Sequence, residues 1–352
     1  MIEFIIVGRG LAASVIAHAL HEENISFKII GNESLSNCSK VAAGIWNPIV
    51  FKRLTKSWLA DEIIPYLNQF YSQVEKKVNK KLITQRALIK PFTEEQEKKL
   101  WQKKASLELS DFLDDTIYNA DSTNLNNCKI INQYGIVKQS GNLDVNEFLK
   151  STNSIFAESV IDEVFDYNEL KINSDFVSYK NIKTKNIIFC EGYLVKNNPH
   201  FNWIKLKPAK GEVLTLASSD LKLKNQILNR NGFLMDLDND TFKLGATYEW
   251  DDLSEEPTQK GLVELQTKLQ QLISCEYTIQ SHQAGVRPSS SDRRPIIGPH
   301  PAHKNLFIFN GLGTKGVMLA PYFAKKFVNF YLKKETLHND VMVNRFYSQY
   351  AQ

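Results

Sequence analysis

Two glycines and an alanine near the start of the chain, Gly8, Gly10 and Ala13, are spaced as in a turn that binds the pyrophosphate of a dinucleotide. Gly8 permits a tight turn, Gly10 lets backbone N–H groups approach phosphate, and Ala13 allows close packing of a helix on a strand. The N–H groups at a helix start are unpaired and carry partial positive charge, which favours an anion. The spacing predicts a dinucleotide site, with a Gly-rich turn that binds nothing as the alternative.

The segments around this turn predict the elements that position it. Phe4–Val7 is wholly apolar, as in a parallel strand buried on both faces. Leu11 to about Glu22 has the composition of a helix, and Ser26–Ile30 that of a second strand. A strand, a turn, a helix and a strand within about 30 residues form the context in which this glycine pattern indicates a dinucleotide site.

The end of the second predicted strand departs from the dinucleotide pattern. An acid that holds the ribose hydroxyls is expected there, roughly 20 residues after the turn. Here Gly31 and Asn32 follow the strand, and the acid, Glu33, comes two residues late. How the adenosine ribose is held therefore stays open, with Glu33 as one candidate to replace the missing acid.

Size and composition indicate a globular protein with two domains. The chain has 352 residues, of which 43% are hydrophobic and 23% charged, and its net charge is +4. This charge gives no indication of a nucleic-acid or anionic-membrane partner. No apolar run approaches the roughly 20 residues that span a bilayer, and the chain enters its first strand directly, so we expect a cytoplasmic protein without a signal peptide.

The cysteines and histidines indicate neither a disulfide framework nor a metal site. The histidines form no cluster in the sequence. The four cysteines are widely separated and show no C-x-x-C spacing; they are Cys38, Cys128, Cys190 and Cys275. We therefore expect no bound metal, and reduced thiols in a cytosol.

Further along the chain, periodicity predicts helices and strands around a second Gly-rich turn. Trp58 to about Val78 has apolar residues at helical spacing, and Thr93–Lys104 is a short charged helix with Thr93 as N-cap. Near the end, the strand Asn305–Asn310 leads into Gly311–Gly316 and a helix from Val317 to about Lys334. The remaining expected elements are strands in Lys81–Phe92, Lys129–Lys138, Glu212–Leu216, Gly232–Asp236 and Thr241–Ala246, a β-meander in Ser154–Ile188, and helices near Val145–Lys150 and Thr258–Ile273.

Seven motifs in order, at plausible spacing, resemble the D-amino-acid oxidase superfamily of FAD-dependent oxidoreductases, and within it the glycine oxidase and sarcosine oxidase branch. They are GRGLAA, CSKVAAGIWNP, IIFCEGY, PAKGEV, LGATYEW, AGVRPSSSDRRPIIG and GLGTKGVMLAP. The resemblance implies an α/β (α+β two-domain) fold. A Rossmann-like FAD-binding domain of the glutathione-reductase type would comprise residues 1–79, 138–200 and 286–352. A substrate domain with a mixed, largely antiparallel sheet would comprise residues 80–137 and 201–285.

The resemblance also implies which residues contact FAD. The pyrophosphate turn, the ribose position, the loop beside the flavin, the adenine contact and the second Gly-rich turn would all take part. These cofactor-binding residues are Gly8, Gly10, Leu11, Ala12, Gly31, Asn32, Glu33, Cys38, Ser39, Ala43, Gly44, Ile45, Val160, Gly192, Gly311, Leu312, Gly313, Thr314, Lys315, Gly316 and Val317. No cysteine follows Glu276, so a noncovalent flavin is expected.

By the same resemblance, Arg287 matches the arginine that grips a substrate carboxylate, with an ion pair to Asp292 or another acid as the alternative. Tyr248 and Phe233 match pocket walls, although Tyr248 could equally be buried core. Lys210 could supply positive charge near the flavin or be a surface lysine. Lys315, in the flavin loop itself, is the better basic candidate, so Arg287, Lys315 and Tyr248 are the predicted catalytic residues.

The activity implied is oxidation of an amine, a small amino acid or N-alkyl glycine, by hydride transfer to FAD followed by hydrolysis of the imine. Dioxygen or another acceptor would reoxidise the cofactor. GLGTKGVMLAP and LGATYEW also resemble the oxidase half of the bacterial enzyme that matures a carboxymethylaminomethyl-modified uridine of tRNA. A third alternative is a flavin-binding scaffold or sensor without turnover. The sequence leaves the substrate, the electron acceptor and the oligomeric state open.

Overall fold

The computed structural model describes residues 1–35, 37–120, 125–130 and 132–350. Its strands are β1 Ile2–Val7, β2 Phe27–Ile30, β3 Ile45–Trp46, β4 Ile49–Val50, β5 Thr55–Lys56, β6 Ile83–Gln85, β7 Leu88–Pro91, β8 Tyr118–Asn119, β9 Gln133–Val137, β10 Gly141–Leu143, β11 Val160–Ile161, β12 Leu170–Ile172, β13 Val177–Tyr179, β14 Ile182–Phe189, β15 Ala209–Ala217, β16 Ile227–Asn229, β17 Phe233–Asp236, β18 Thr241–Gly245, β19 Thr278–Arg287, β20 Ile296–Pro299 and β21 Leu306–Asn310. Its α-helices are α1 Leu11–Glu22, α2 Cys38–Val41, α3 Ala60–Val78, α4 Glu95–Ala105, α5 Val145–Ile155, α6 Gln259–Gln270, α7 Gly316–Tyr331 and α8 Tyr347–Tyr350.

The first large sheet has a parallel centre. Its strands follow the order β11-β2-β1-β14-β13-β12, and β21 also pairs with β14 and carries β20. The pairs β11–β2, β2–β1, β1–β14 and β14–β21 are parallel, whereas β12, β13 and β20 join in antiparallel pairs. Parallel neighbours bring the carboxyl ends of β1, β2, β14 and β21 to one edge, where ligands bind in such sheets.

Strand β1 shows why this sheet is covered on both faces. Phe4, Ile5, Ile6 and Val7 are all buried. Phe4 and Ile6 belong to the apolar core that also contains α1 and α7, and Ile5 and Val7 belong to a second core on the other face. The wholly apolar run is therefore explained by alternation of side chains between two buried faces.

The second large sheet is antiparallel except at one pair. Its order is β19-β15-β18-β17-β16-β7-β9-β8, with only β16 and β7 parallel. Helix α6 packs against it through Leu265 and Leu269, which belong to a third apolar core. Two small antiparallel sheets, β3-β10-β6 and β4-β5, complete the described pairings. The predicted division of the chain into domains stays a prediction.

Most predicted elements are confirmed, with two local errors. The β-meander predicted in Ser154–Ile188 holds only for β12, β13 and β14, because β11 pairs in parallel with β2. Helix α4 begins at Glu95, and its N-cap is Glu94, so the prediction of Thr93 as N-cap is wrong. The reason is a competing partner, because both the backbone N–H (2.8 Å) and the hydroxyl (3.0 Å) of Thr93 donate to the carboxylate of Glu97. Among the described residues, no helix is long and apolar enough to cross a membrane.

Candidate functional site

A cavity of about 1080 Å³ lies against the carboxyl ends of the parallel strands and reaches the second large sheet. Its lining includes the turn after β1, helix α2, strands β15, β17 and β19, and the turn before α7. The volume is slightly above the usual range for small-molecule sites, roughly 300–1,000 Å³. Both Gly-rich turns therefore line the same cavity.

The turn after β1 is shaped by close backbone approach. Gly8 has φ +120°, and a Cβ there would stand 2.5 Å from the carbonyl oxygen of Cys190, directly after the neighbouring strand β14. Gly10 is the N-cap of α1 and has no side chain to occupy the first N–H groups. The Leu11 N–H donates to Ser39 Oγ at 3.1 Å. The first turn of α1, fully described, carries no acid, so the helix start offers positive partial charge to the cavity.

The turn before α7 repeats this arrangement at the other end of the chain. Gly311 and Gly313 have φ of +72° and +54°, conformations that favour glycine. Helix α7 begins at Gly316 with neither a side-chain cap nor an acid in its first turn, all of which is described. Two helix starts, neither with an acid in its first turn, thus face one cavity, an arrangement suited to a ligand that carries negative charge at two places.

Lys315 places a titratable ammonium in the same turn. Its Nζ lies 2.6 Å from Ser57 Oγ, and the residue lines the cavity. Burial, with a further contribution from Arg294 and Arg293, lowers the pKa of Lys315 to about 8. Its charge therefore changes close to neutral pH.

Arg287, at the end of β19, lies with its guanidinium across the neighbouring strand β15. A Cβ on Gly211 of β15 would fall 1.8 Å from Arg287 Nη2, so this glycine leaves the space that the guanidinium occupies. Nη1 donates to the carbonyl oxygens of Lys210 (3.3 Å) and Thr247 (3.2 Å), and Nη2 also donates to Thr247 (3.3 Å). The guanidinium carbon stands 4.5 Å from the ring centre of Tyr248.

The charge of Arg287 has no carboxylate partner among the described residues. Asp292, the acid considered as its partner, instead lies 2.8 Å from Nε of Arg345. Burial lowers the pKa of Arg287 from its ordinary value, yet an arginine stays charged at neutral pH. A half-buried, uncompensated guanidinium in a cavity is a site for an anionic ligand group.

The aromatic residues and Lys210 differ in their relation to the cavity. Tyr248 and Phe233 both line it, and Tyr248 is 51% exposed, so it is not buried core. Lys210 is wholly buried outside the lining, with its Nζ 2.5 Å from Asp252 and 3.0 Å from Ser254 Oγ. It is therefore neither a surface lysine nor a cation that faces the cavity.

The ribose position contains an arginine that the sequence patterns did not single out. Gly31 and Asn32 line the cavity, but Glu33 lies outside the lining with its carboxylate 3.1 Å from Arg9 Nη2. Arg9 itself lines the cavity. The signal that could have found it is an arginine between the two glycines of a dinucleotide turn, combined with a glycine where the ribose acid belongs.

Most of the residues predicted to bind the cofactor line this cavity, and three lie outside it. Those in the lining are Gly8, Gly10, Leu11, Ala12, Gly31, Asn32, Cys38, Ser39, Ala43, Gly44, Ile45, Gly192, Leu312, Gly313, Thr314, Lys315, Gly316 and Val317. Besides Glu33, Val160 lies in β11, paired with Ile29, and Gly311 packs against Ile296. Their roles as contacts stay predictions.

A half-buried acid in the lining, Glu191, was also missed. Glu191 follows β14, and its carboxylate accepts hydrogen bonds from the Tyr167 hydroxyl and, at 2.7 Å, from the Asn198 amide. Burial raises the pKa of Glu191 to about 7, although both hydrogen bonds oppose that shift. In the described part of the chain, no group of three or more His, Cys, Asp or Glu side chains is arranged to hold a metal ion.

Comparison with known proteins identifies the family. Residues 3–329 match the family described as DAO, FAD dependent oxidoreductase. The chain therefore belongs to the DAO family of FAD-dependent oxidoreductases, and FAD is the cofactor of that family. The residues present fit this group, because two uncapped helix starts and the glycine turns meet in one cavity of sufficient volume.

Individual relatives agree with the family assignment. Glycine oxidase of Bacillus subtilis (strain 168) is 28% identical over 116 residues, which cover 32% of this chain and 31% of that protein. The tRNA 5-methylaminomethyl-2-thiouridine biosynthesis bifunctional protein MnmC of Marinobacter nauticus is 27% identical over 134 residues, covering 35% of this chain and 21% of that protein. The matched segments thus span about a third or less of these relatives.

Solved structures resemble the chain over nearly its whole length. Glycine oxidase from Bacillus cereus ATCC 14579 matches with a TM-score of 0.79 at 20% identity, covering 96% of both chains. Iminodiacetate oxidase from Chelativorans sp. BNC1 matches with a TM-score of 0.80 at 14% identity, covering 96% of this chain and 98% of that one. The predicted fold class is confirmed.

Proposed function

We propose that the protein oxidises a small amine that carries a carboxylate, an amino acid or an N-alkyl glycine, with FAD as cofactor. The observation that supports this is Arg287, which lines the cavity and whose described partners are two backbone carbonyls and the ring of Tyr248. Its charge is available to a carboxylate, and the planar guanidinium suits two parallel hydrogen bonds. A non-catalytic flavin scaffold would have no use for an arginine held in this way.

In this proposal, Arg287 binds the substrate carboxylate and so fixes the orientation of the neighbouring C–H bond. When bound, FAD would supply the acceptor for a hydride from that carbon and a route for the electrons to dioxygen or another acceptor, and the resulting imine of the substrate would be hydrolysed by water. Backbone N–H groups at the start of α7 provide fixed partial positive charge in the same cavity, and Lys315 adds a full charge below pH about 8.

A second candidate is oxidation of the carboxymethylaminomethyl group of a tRNA uridine, chemically the same reaction on a larger substrate. It is favoured by similarity to the bifunctional tRNA-modifying relative and by two exposed aromatic side chains near the cavity. Tyr248 and Trp250, 51% and 62% exposed, lie with ring centres 6.1 Å apart, a surface on which a base can stack. The net charge of +4 gives little support to binding of a whole tRNA.

Anaerobic mixing of the purified yellow protein with a panel of amines tests both candidates. Glycine, sarcosine, proline, D-amino acids and carboxymethylaminomethyl-uridine should be compared by the loss of the oxidised-flavin absorbance. Bleaching by one of the free amino acids is the result we expect. Bleaching by the nucleoside alone would favour the second candidate, and a flavin that none of them reduces would refute the first.

The mode of FAD attachment is tested by acid precipitation. We expect the yellow colour in the supernatant, because the cavity offers noncovalent contacts to the cofactor at both Gly-rich turns. Colour that stays with the precipitated protein would contradict a noncovalent cofactor. A colourless protein that takes up no added FAD would refute the proposed function as a whole.

A further inference from the structure

At the adenosine end of the cavity, Gly31 stands where the dinucleotide pattern has an acid, and its surroundings leave no room for a side chain. A Cβ at Gly31 would lie 2.9 Å from Arg9 Cβ and 3.0 Å from the carbonyl carbon of Gly8. Contacts this short require the backbone of the turn to move. The position that carries an acid in the dinucleotide pattern therefore cannot hold one in this chain, because Arg9 fills the adjoining space.

Arg9 is held in place by acids from two different loops. Its Nη2 lies 3.1 Å from Glu33, in the loop after β2, and its Nη1 lies 3.0 Å from Asp162, directly after β11. The Nε donates to Asn153 Oδ1 at 3.3 Å. Although Arg9 is only 12% exposed, Glu33 and Asp162 are 64% and 54% exposed. The acids therefore stay solvated while they orient a guanidinium that borders the cavity.

The electrostatics of this end suit an uncharged polar group. The carboxylates of Glu33 and Asp162 already compensate the guanidinium charge, so a second phosphate would gain little here, whereas a hydroxyl oxygen still accepts a hydrogen bond from the arginine. A guanidinium has five N–H groups, and described residues engage four of them: Nε faces Asn153, Nη1 faces the Gly31 carbonyl and Asp162, and Nη2 faces Glu33. One N–H group on Nη2 remains for a ligand in the cavity.

We propose that Arg9 takes over the task of the ribose acid, with Nη2 of its guanidinium donating a hydrogen bond to a hydroxyl oxygen of the adenosine ribose of FAD. Glu33 and Asp162 position Arg9 and do not contact the cofactor. This reverses the usual polarity of ribose recognition, in which a protein carboxylate accepts from the hydroxyls. It rests on the cofactor of the family and is independent of which amine is oxidised.

Binding of FAD and FMN to the full-length apoprotein tests this assignment, since FMN lacks the adenosine half. We expect Arg9→Ala to raise the Kd for FAD roughly 10- to 100-fold, as for loss of a charge-assisted hydrogen bond, and to leave the Kd for FMN unchanged. Flavin fluorescence measured during titration reports both constants without any turnover. Arg9→Lys should give an intermediate Kd for FAD, because an ammonium can still donate.

Lys40→Ala is the matched control, because Lys40 donates to the Glu33 and Leu35 carbonyls of the same loop but does not line the cavity. It should leave both constants unchanged. Equal weakening of FAD and FMN by Arg9→Ala would show that Arg9 only supports the turn, and an unchanged Kd for FAD would overturn the assignment. Equal affinity of the unaltered protein for FAD and FMN would also overturn it. If Arg9→Ala fails to fold, Arg9→Lys decides by the same criteria.

Discussion

Two arginines line one cavity, and they differ in what neutralises them. Arg9 stands within 3.1 Å of the carboxylates of Glu33 and Asp162. Arg287 donates only to backbone carbonyls among the described residues, and its flat face meets Tyr248. The charge of Arg9 is therefore compensated and that of Arg287 is not. Residue type alone does not distinguish the two arginines. Their different partners support our proposals of a neutral hydroxyl as the ligand of Arg9 and a carboxylate as the ligand of Arg287.

The energetic consequence is a separation of effects between the two ends. Removing a compensated guanidinium costs the ligand a hydrogen bond, whereas removing an uncompensated one strands the charge of a buried anionic ligand. Arg9 belongs to the turn after β1, and Arg287 ends β19 in the other large sheet. A change at one end should therefore alter cofactor affinity, and a change at the other should alter turnover.

Gly10→Val should have the largest effect on FAD binding, because Gly10 lies in the turn proposed to bind the pyrophosphate. A branched side chain at the start of α1 would project into the cavity where backbone N–H groups face the ligand, and its Cβ would already lie 3.1 Å from Ser39 Oγ. We expect FAD binding to be abolished while the circular dichroism spectrum of the fold is retained. FAD binding of normal strength in this variant would show that the Gly8–Ala13 turn is not the pyrophosphate site.

Arg287→Ala should have the next largest effect and should act on turnover alone. Truncating one partner of a dehydrated charge pair costs roughly 2–5 kcal/mol, which corresponds to roughly 30- to several-thousandfold in kcat/KM. The Kd for FAD should change little. Arg287→Lys should recover only part of the loss, because an ammonium cannot make the two-pronged contact.

Benzoate and acetate provide a readout of Arg287 that needs no turnover. These carboxylates should perturb the flavin spectrum of the unaltered protein and not that of Arg287→Ala. Arg53→Ala, at an exposed arginine outside the lining, is the matched control and should respond as the unaltered protein does. If Arg287→Ala loses FAD or unfolds, the arginine is structural. If it turns over substrate normally, a substrate without a carboxylate becomes the better candidate.

Local patterns in the sequence predicted the elements at both ends of the cavity. A strand, a Gly-rich turn and a helix are specified by neighbouring residues, so β1 with α1 and β21 with α7 could be recognised directly. Pairings between distant segments could not. Lys210 was assigned to the flavin or the surface, yet it is buried against Asp252, and only the register of β15 with β19 reveals that Gly211 makes room for Arg287.

The arrangement at Arg9 was hidden for the same reason. Its two acids come from loops that the sequence separates widely, and the parallel sheet brings those loops together. The absence of a ribose acid at Gly31 was visible in the sequence, but what fills the space was not. The assignments of individual site residues stay predictions, which the experiments on Arg9 and Arg287 are designed to decide.

Lys315 should add a smaller, pH-dependent contribution at the carboxylate end. Its pKa is lowered to about 8, so Lys315 is charged below that pH and becomes neutral above it. The affinity for benzoate should therefore fall as pH rises through about 8, by roughly 3- to 10-fold for loss of one partly screened charge. In Lys315→Met this step should vanish. If it persists unchanged, another group causes it; a step near pH 7 would implicate Glu191, whose pKa is raised to about 7.

In the double variant Arg9→Ala/Arg287→Ala, the effects of the two substitutions should simply add, so the coupling between them is the smallest effect we expect. The two arginines share no partner among the described residues. Their proposed ligand groups also differ, the adenosine ribose of FAD for Arg9 and the substrate carboxylate for Arg287. Independent sites combine within about 0.5 kcal/mol, or about twofold. The Kd for FAD should therefore equal that of Arg9→Ala, and kcat/KM at saturating FAD should equal that of Arg287→Ala, each within about twofold. A larger coupling would mean that the two ends of the cavity are not independent, since loss of the adenosine contact would then alter how the substrate is oriented.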